Sequence, residues 1–191
     1  MGIFGNKKHA DAPKELREAL APLNVLNDKL QAIKLGDALA KNKPTLLWVM
    51  RRFACPLCRA YSVKLRDEVQ PKLEAKGFQM LAVGLETAGL KDFQEGKFWT
   101  GDLVIENPKQ EVHKLLNTKK ASVFGLFNIS MMKQGAADQK QYGGNMTEGD
   151  GMVLGGVWIM DKQGNCVFSH CQKHFNHHPD VHEILTAVDN M

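Results

Sequence analysis

Leu46-Leu47-Trp48-Val49-Met50, then Arg51-Arg52-Phe53-Ala54, then Cys55-Pro56-Leu57-Cys58-Arg59: this stretch decides the fold. Five bulky apolar residues in succession, soon after Pro44, suit a strand covered on both faces. Behind the cysteines, Tyr61, Leu65, Val69 and Leu73 recur every four residues, as on one face of a helix. The reading is a buried strand, a tight turn and a helix that starts at the cysteine pair. Pro56 supports that start, because it lacks an N–H and its preset φ suits the first helical position.

A cysteine at a helix N-terminus meets unpaired N–H groups and the positive end of the helix dipole. There the thiolate is favoured over the thiol, whose free pKa is about 8.5. Arg51, Arg52 and Arg59 add positive charge close by. Cys58 follows one turn later, so the two sulfurs can meet and cycle between dithiol and disulfide. Two other uses of the pair compete. A structural zinc site needs four ligands; Cys166 and Cys171 could complete it, but the gap between them is loose for a zinc knuckle. The pair could also be small buried core residues. The order strand, Cys-x-x-Cys, helix favours redox chemistry over both.

The 191 residues are enough for one well-formed domain with extensions, divided here into a tail and helix over 1–22 and a domain over 23–191. No run approaches the roughly eighteen apolar residues of a membrane span, and no apolar core of a secretory signal follows Met1. Four cysteines do not suggest an extracellular disulfide scaffold, so a reducing, cytoplasmic setting is expected. The net charge of +4 is spread along the chain with no basic block interleaved with aromatics, which argues against nucleic acid as a partner. Met1-Gly2-Ile3-Phe4-Gly5-Asn6-Lys7-Lys8 is similar to a myristoylation start, although Asn6 stands where Ser or Thr is preferred. A single acyl chain there would give only weak membrane association.

Taken in order, Asp11-Ala12-Pro13 predicts a helix start, and the helix ends before Pro22. Leu23 to Ile33 suits a hairpin around Asn27-Asp28, and Leu35 to Lys41 a short helix. After the cysteine helix come a second buried strand (Met80 to Leu85), a helix (Ala88 to Glu95), a strand (Leu103 to Ile105) and a helix opened by Asn107-Pro108. This alternation implies parallel strands with right-handed crossovers. Ser122 to Asp150 reads as a long irregular segment that could flank the thiols. Met152 to Met160 and Asn165 to Cys171 form a hairpin, and Val181 to Val188 a closing helix.

Beyond this order, Arg51 to Arg59, Lys91-Asp92-Phe93-Gln94, Gly143-Gly144-Asn145-Met146-Thr147-Glu148-Gly149-Asp150-Gly151 and Leu154-Gly155-Gly156-Val157 together resemble the peroxiredoxin-like type 2 family. That family lies within the alkyl-hydroperoxide-reductase/thiol-specific-antioxidant group and includes prostamide/prostaglandin F synthase. The resemblance spans roughly Leu35 to Val188. It implies an α/β, thioredoxin-like three-layer fold, with a central mixed sheet, flanking helices and a peroxiredoxin-like N-terminal lead-in. It also implies that Cys55 attacks and Cys58 resolves. The substrate would be a small-molecule hydroperoxide or endoperoxide, or a disulfide. No bound cofactor is implied; an external dithiol such as thioredoxin, linked to NADPH, would restore the thiols. Arg52 stands where typical peroxiredoxins carry Thr or Ser, and Gly155-Gly156 where thioredoxins carry a cis-proline. The glycines would leave room for a backbone to approach Cys55. Arg52, Pro56, Arg59, Gly155 and Gly156 are thus the supporting residues.

Other groups are weaker candidates. His170, His174, His177, His178 and His182 cluster with Cys171, and helical spacing would pair some of them as metal ligands, but Pro179 interrupts such a helix; no metal site is expected. Cys166 and Cys171, five positions apart, fall on opposite faces of a regular strand. Glu86, Asp92 and Glu148 are candidate proton carriers for Cys58. Besides an enzyme, the same disulfide could serve a non-catalytic redox sensor, and the cysteines or histidines a metal-binding module.

Overall fold

The computed structural model describes residues 12–121, 129–145, 147 and 149–191. Its centre is a seven-stranded sheet: β1 (Asn24–Asn27), β2 (Ala32–Lys34), β3 (Thr45–Met50), β4 (Gln79–Gly84), β5 (Asp102–Glu106), β6 (Gly156–Met160) and β7 (Cys166–Cys171), in the spatial order β2-β1-β5-β4-β3-β6-β7. β3, β4 and β5 run parallel, as expected of strands joined by helices, and the two hairpins add the antiparallel pairs. The sheet is therefore mixed.

Alternation along β3 sends its side chains to two cores. Leu46, Trp48 and Met50 face one side, beneath α3 (Pro56–Lys64), α4 (Gln70–Ala75), α5 (Leu90–Glu95) and α8 (Val181–Asp189). Leu47 and Val49 face the other, with α1 (Leu16–Leu20), α2 (Leu35–Ala38) and α6 (Glu111–Leu115). Three layers result, and the cysteines belong to the first side. All of β3 is buried, so its unbroken apolar run is explained by cover on both faces.

Tyr61, Leu65, Val69 and Leu73 are all buried, as their spacing predicts. They do not lie on one regular helix. A π-helical turn, Leu65–Val69, joins α3 to α4. Pro71 has no N–H to give back to the preceding turn, which explains why the regular ladder breaks just ahead of it. The wider turn also slows the drift of a four-residue repeat around the axis.

Four expectations need correcting. The first helix begins at Leu16, and Glu15 bridges to Asn165 instead of extending it; Asp11 lies outside the described residues. The segment read as irregular contains a helix, α7 (Ile129–Tyr142). Its inward positions are Met131, Gly135 and Asp138, a stripe too small and polar to register as an apolar face. The first strand of the expected hairpin begins at Gly156, not Met152; Met152 to Leu154 instead lies against 119–121, through Ala121 N–H to Met152 O (2.7 Å) and Leu154 N–H to Lys119 O (2.8 Å). Finally, Cys166 and Cys171 lie half-buried against the same core, not on opposite faces. β6 pairs Ile159 with Phe168 but Met160 with Cys166, so β7 carries one extra residue, a bulge that resets the alternation.

Gly155 sits where β6 is about to begin. A Cβ there would stand 1.9 Å from Val49 O. Gly155→Ala is expected to destabilise the protein by about 1–3 kcal/mol, the usual range for overpacking. A urea midpoint indistinguishable from that of the parent would contradict this. Among the described residues no helix is long and apolar enough to cross a membrane.

Candidate active site

β3 ends at Met50, and the next five residues turn the chain into α3. Cys55 is the residue before the helix, with extended φ −72° and ψ 121°, and Pro56 is the first helical residue. Cys55 O accepts the first helical bond from Arg59 N–H at 3.0 Å. The turn is held by side chain and backbone alike. Arg59 Nε donates to Phe53 O at 2.8 Å, and its guanidinium lies over Phe98 and donates through Nη1 to Tyr142 O at 3.2 Å. Asn145 N–H donates to Ala54 O at 2.8 Å. Gly144, at φ +85°, comes so close that a Cβ there would lie 2.3 Å from that same oxygen. α7 is thereby moored beside the cysteines.

Cys55 and Cys58 are 0% and 1% exposed, and both are free thiols. Arg51 Nη2 donates to Cys55 Sγ at 2.8 Å. The same guanidinium is 1% exposed, donates to Gly151 O at 3.3 Å and lies 4.6 Å over the ring of Phe175. The Cys55 pKa falls to about 5. Its largest cause is hydrogen bonding from the Cys58 side chain; burial opposes it, and Arg51, the Cys58 backbone and Arg52 add to it. Cys58 moves the other way, well above the ordinary thiol range, because it donates to Cys55, is buried and faces the Cys55 charge. One sulfur is poised as a nucleophile while the other keeps its proton.

Of the remaining sequence candidates, Arg52 and Arg59 flank this pair in the chain and Pro56 lies between the two cysteines. Arg52 adds its charge and packs against Gly151, where a Cβ would be 3.2 Å from its Cζ. Arg59 orders the turn. Gly155 exchanges hydrogen bonds with Gln172, accepting from Gln172 N–H at 2.9 Å and donating its N–H to Oε1 at 2.8 Å. A Cβ on Gly156 would lie 2.3 Å from His170 O. The contacts of both glycines are thus with the sheet, so the close approach they permit is to β3 and β7 rather than to Cys55. Glu86 accepts the Asp150 N–H at 2.7 Å, Asp92 is exposed on α5, and Glu148 lies outside the described residues.

Two groups that were not singled out from sequence stand at the site. Asp138 on α7 has a proton affinity raised by burial and then by the Cys55 charge. Gln172, buried, links Gly155 to His178 at 3.2 Å, and His178 stacks on Tyr61 at 4.0 Å. The small, polar inner stripe of α7 gives Asp138 no signal in the sequence. His170 and His177 contact one another at 3.2 Å, and His182 is exposed. Among the described residues no group of three or more His, Cys, Asp or Glu side chains is placed to hold a metal ion.

Comparison with known proteins identifies the family and the fold. The sequence model described as AhpC/TSA antioxidant enzyme matches residues 64–174. Prostamide/prostaglandin F synthase of Salmo salar is 33% identical over 139 residues, covering 70% of this chain and 68% of the relative. The chain belongs to the AhpC/TSA antioxidant enzyme family. The Xenopus tropicalis protein of the same name is 32% identical, with 77% of this chain and 73% of the relative covered. In fold, this AhpC/TSA family member resembles the bacterioferritin comigratory protein of Xanthomonas campestris, whose structures concern its alkyl peroxide reduction activity. The TM-score is 0.61 at 14% identity, covering 94% and 98% of the two chains. It is an oxidoreductase with a thioredoxin-like fold. The family match begins at Lys64, past the cysteine pair, so the roles of Cys55 and Cys58 rest on their own geometry.

Proposed function

We propose that this protein reduces O–O bonds in small molecules through a Cys55–Cys58 dithiol/disulfide cycle. The observation that carries the reading is the Arg51 guanidinium on Cys55 Sγ, with Cys58 one turn away and still protonated. The Cys55 thiolate attacks one oxygen of a hydroperoxide and the O–O bond breaks. Cys55 becomes a sulfenic acid, and the leaving alkoxide takes a proton to become an alcohol. Cys58 then condenses with the sulfenic acid; the S–S bond forms and water leaves. A dithiol of thioredoxin type, itself linked to NADPH, returns two electrons and two protons and becomes a disulfide. A lipid endoperoxide, in keeping with the name of the curated relatives, would accept the same two electrons and leave as two hydroxyls. A cleft of about 280 Å³ beside Leu57, Tyr61, Gln134 and His178 adjoins the first turn of α3. Because both sulfurs are covered, substrate entry requires movement of the elements around them.

The test is intact mass and peptide mapping after one equivalent of hydroperoxide or endoperoxide. The expected result is a loss of two hydrogens mapped to Cys55–Cys58, reversed by thioredoxin and its reductase and repeated in proportion to substrate. Thiols unchanged by either oxidant would overturn the proposal. One oxidation without further turnover would instead favour a redox sensor.

A further inference from the structure

The cycle leaves one chemical demand unmet. Cys58 must lose its proton to attack, yet its burial disfavours the thiolate. The hydroxyl leaving Cys55 must gain one. We infer that Asp138 carries that proton, its carboxylate taking it from the Cys58 thiol and giving it to the hydroxyl that departs from Cys55 as water. This rests on the cysteine cycle proposed above.

The placement of α7 supports the assignment. Its C-terminal end is fixed to the turn before Cys55 by Arg59 to Tyr142 O and by Asn145 to Ala54 O. Its other half is fixed by Asn176 Nδ2 donating to Gln134 Oε1 at 3.3 Å. Asp138 lies one helical turn from each of those residues, on the side that also carries the buried Met131 and Gly135. α7 packs along α3, and the Asp138 carboxylate on that helix lies close enough to the cysteine pair to feel the Cys55 charge. Its Oδ2 is buried and has no hydrogen-bond partner among the described residues. A buried carboxylate oxygen left unpaired is costly, and a structural role would have satisfied it. A proton in transit between two sulfurs needs a vacant acceptor of this kind.

The electron and proton count closes. The S–S bond forms as the Cys58 S–H and Cys55 S–O bonds break; the Cys58 proton and the departing hydroxide make water, and Asp138 ends as it began. The charged and titratable groups on the elements around α7 are Cys55 just before α3, Cys58, Arg59, Tyr61 and Lys64 of α3, Arg51 and Arg52 of the turn, and Lys173, His174, His177 and His178 of the segment before α8. Once Cys55 is a sulfenic acid it no longer carries the thiolate charge. Burial still holds the Cys58 proton and keeps Tyr61 above the ordinary phenol range, and His178 stays neutral down to about 3 because of its burial and the Arg51 charge. Asp138, whose proton affinity burial raises, is the carboxylate on α7 placed to titrate the closing step on the acid side.

The experiment is rapid quench of the reduced protein after one equivalent of hydroperoxide. A sulfenic-acid trap and mass spectrometry then count sulfenic acid and disulfide separately. In the parent, disulfide closure should slow as pH falls through the raised pKa of Asp138, because the carboxylate is the working form. Asp138→Asn should form sulfenic acid at the parental rate, close the disulfide at least about tenfold more slowly and lose that acid limb. Asp138→Glu should recover part of the rate. Parental closure in Asp138→Asn, or a parental profile without an acid limb, would overturn the role of Asp138 while leaving the cysteine cycle standing. No trapped sulfenic acid and no disulfide in the parent would overturn the cycle and this role together.

Discussion

Glu106→Ala is expected to destabilise the protein by about 3 kcal/mol or more, because it leaves several buried groups without partners and each such group costs about 1–3 kcal/mol. Glu106 ends β5 and His113 lies on α6; they are 4% and 3% exposed. The carboxylate contacts His113 Nδ1 through one oxygen, and through the other accepts the backbone N–H groups of Val112 and of His113, the latter at 3.2 Å. His113 Nε2 has no hydrogen-bond partner among the described residues, so the imidazole depends on Glu106. Alanine would strand the ring and two backbone donors at the start of a one-turn helix, each a buried group without a partner. Glu106→Gln keeps the length of the side chain and one acceptor oxygen, and should cost less. Urea denaturation of the reduced protein at fixed pH measures both, with the m-value checking that the unfolding unit is unchanged. A loss below about 1 kcal/mol for the alanine variant would show that water replaces the carboxylate at low cost. The pair belongs to the core on the opposite side of the sheet from the cysteines, so alkylation of Cys55 in the folded protein should be unaffected.

That pair also shows where sequence reading ends. Glu106 and His113 are two charged-type residues in a polar stretch, and nothing in their spacing says that the sheet end and α6 will enclose them. Local patterns served better where one element supplies the whole signal. The apolar run of β3, Pro56 behind Cys55, and Asp161 to Gly164 between two strands each carry their structure within a few residues, and the fold follows from their order. The site was legible to the same extent. Cys55, Cys58 and the nearby arginines could be named, because a helix start dictates what a cysteine there experiences. Which arginine reaches the sulfur could not be named, since consecutive residues in a turn do not follow a fixed period. Arg51 bonds Cys55, while Arg52 packs against Gly151. Asp138 was harder still. Its stripe of Met131, Gly135 and Asp138 is neither apolar nor periodic in hydrophobicity, and only packing against α3 shows its inner face. The bulge at Val167 likewise follows from pairing with β6 and not from β7 alone.

Arg51→Met is expected to raise the pH at which Cys55 becomes reactive, from about 5 in the parent by about one to several units. The guanidinium is buried, donates directly to Sγ and is held in place by Gly151 O and the Phe175 ring, so its charge is poorly screened. Methionine keeps the bulk of the side chain and removes only the donor and the charge. Below the new pKa, each unit of rise removes about tenfold of the thiolate, so iodoacetamide alkylation of Cys55 between pH 5 and pH 7 should slow accordingly. Cys58→Ala removes the larger cause of the shift and should move the profile at least as far. Arg52→Met should move it less. A parental profile in Arg51→Met would mean that Cys58 alone sustains the thiolate. Stability offers an independent reading with a definite sign. A depressed pKa contributes stability that is complete above the free cysteine value of about 8.5 and is lost as pH falls through the folded value. The reduced parent should therefore gain thermal stability as pH rises from about 5 toward 8, through Cys55. Arg51→Met should gain less over the same range, and the disulfide form, which has no thiolate, should gain nothing from this source. A thiolate stabilised in this way favours the reduced protein, so the Cys55–Cys58 disulfide should be an oxidising one, readily opened by an external dithiol. In Arg51→Met that preference weakens, and the equilibrium with a glutathione redox buffer should shift toward the disulfide.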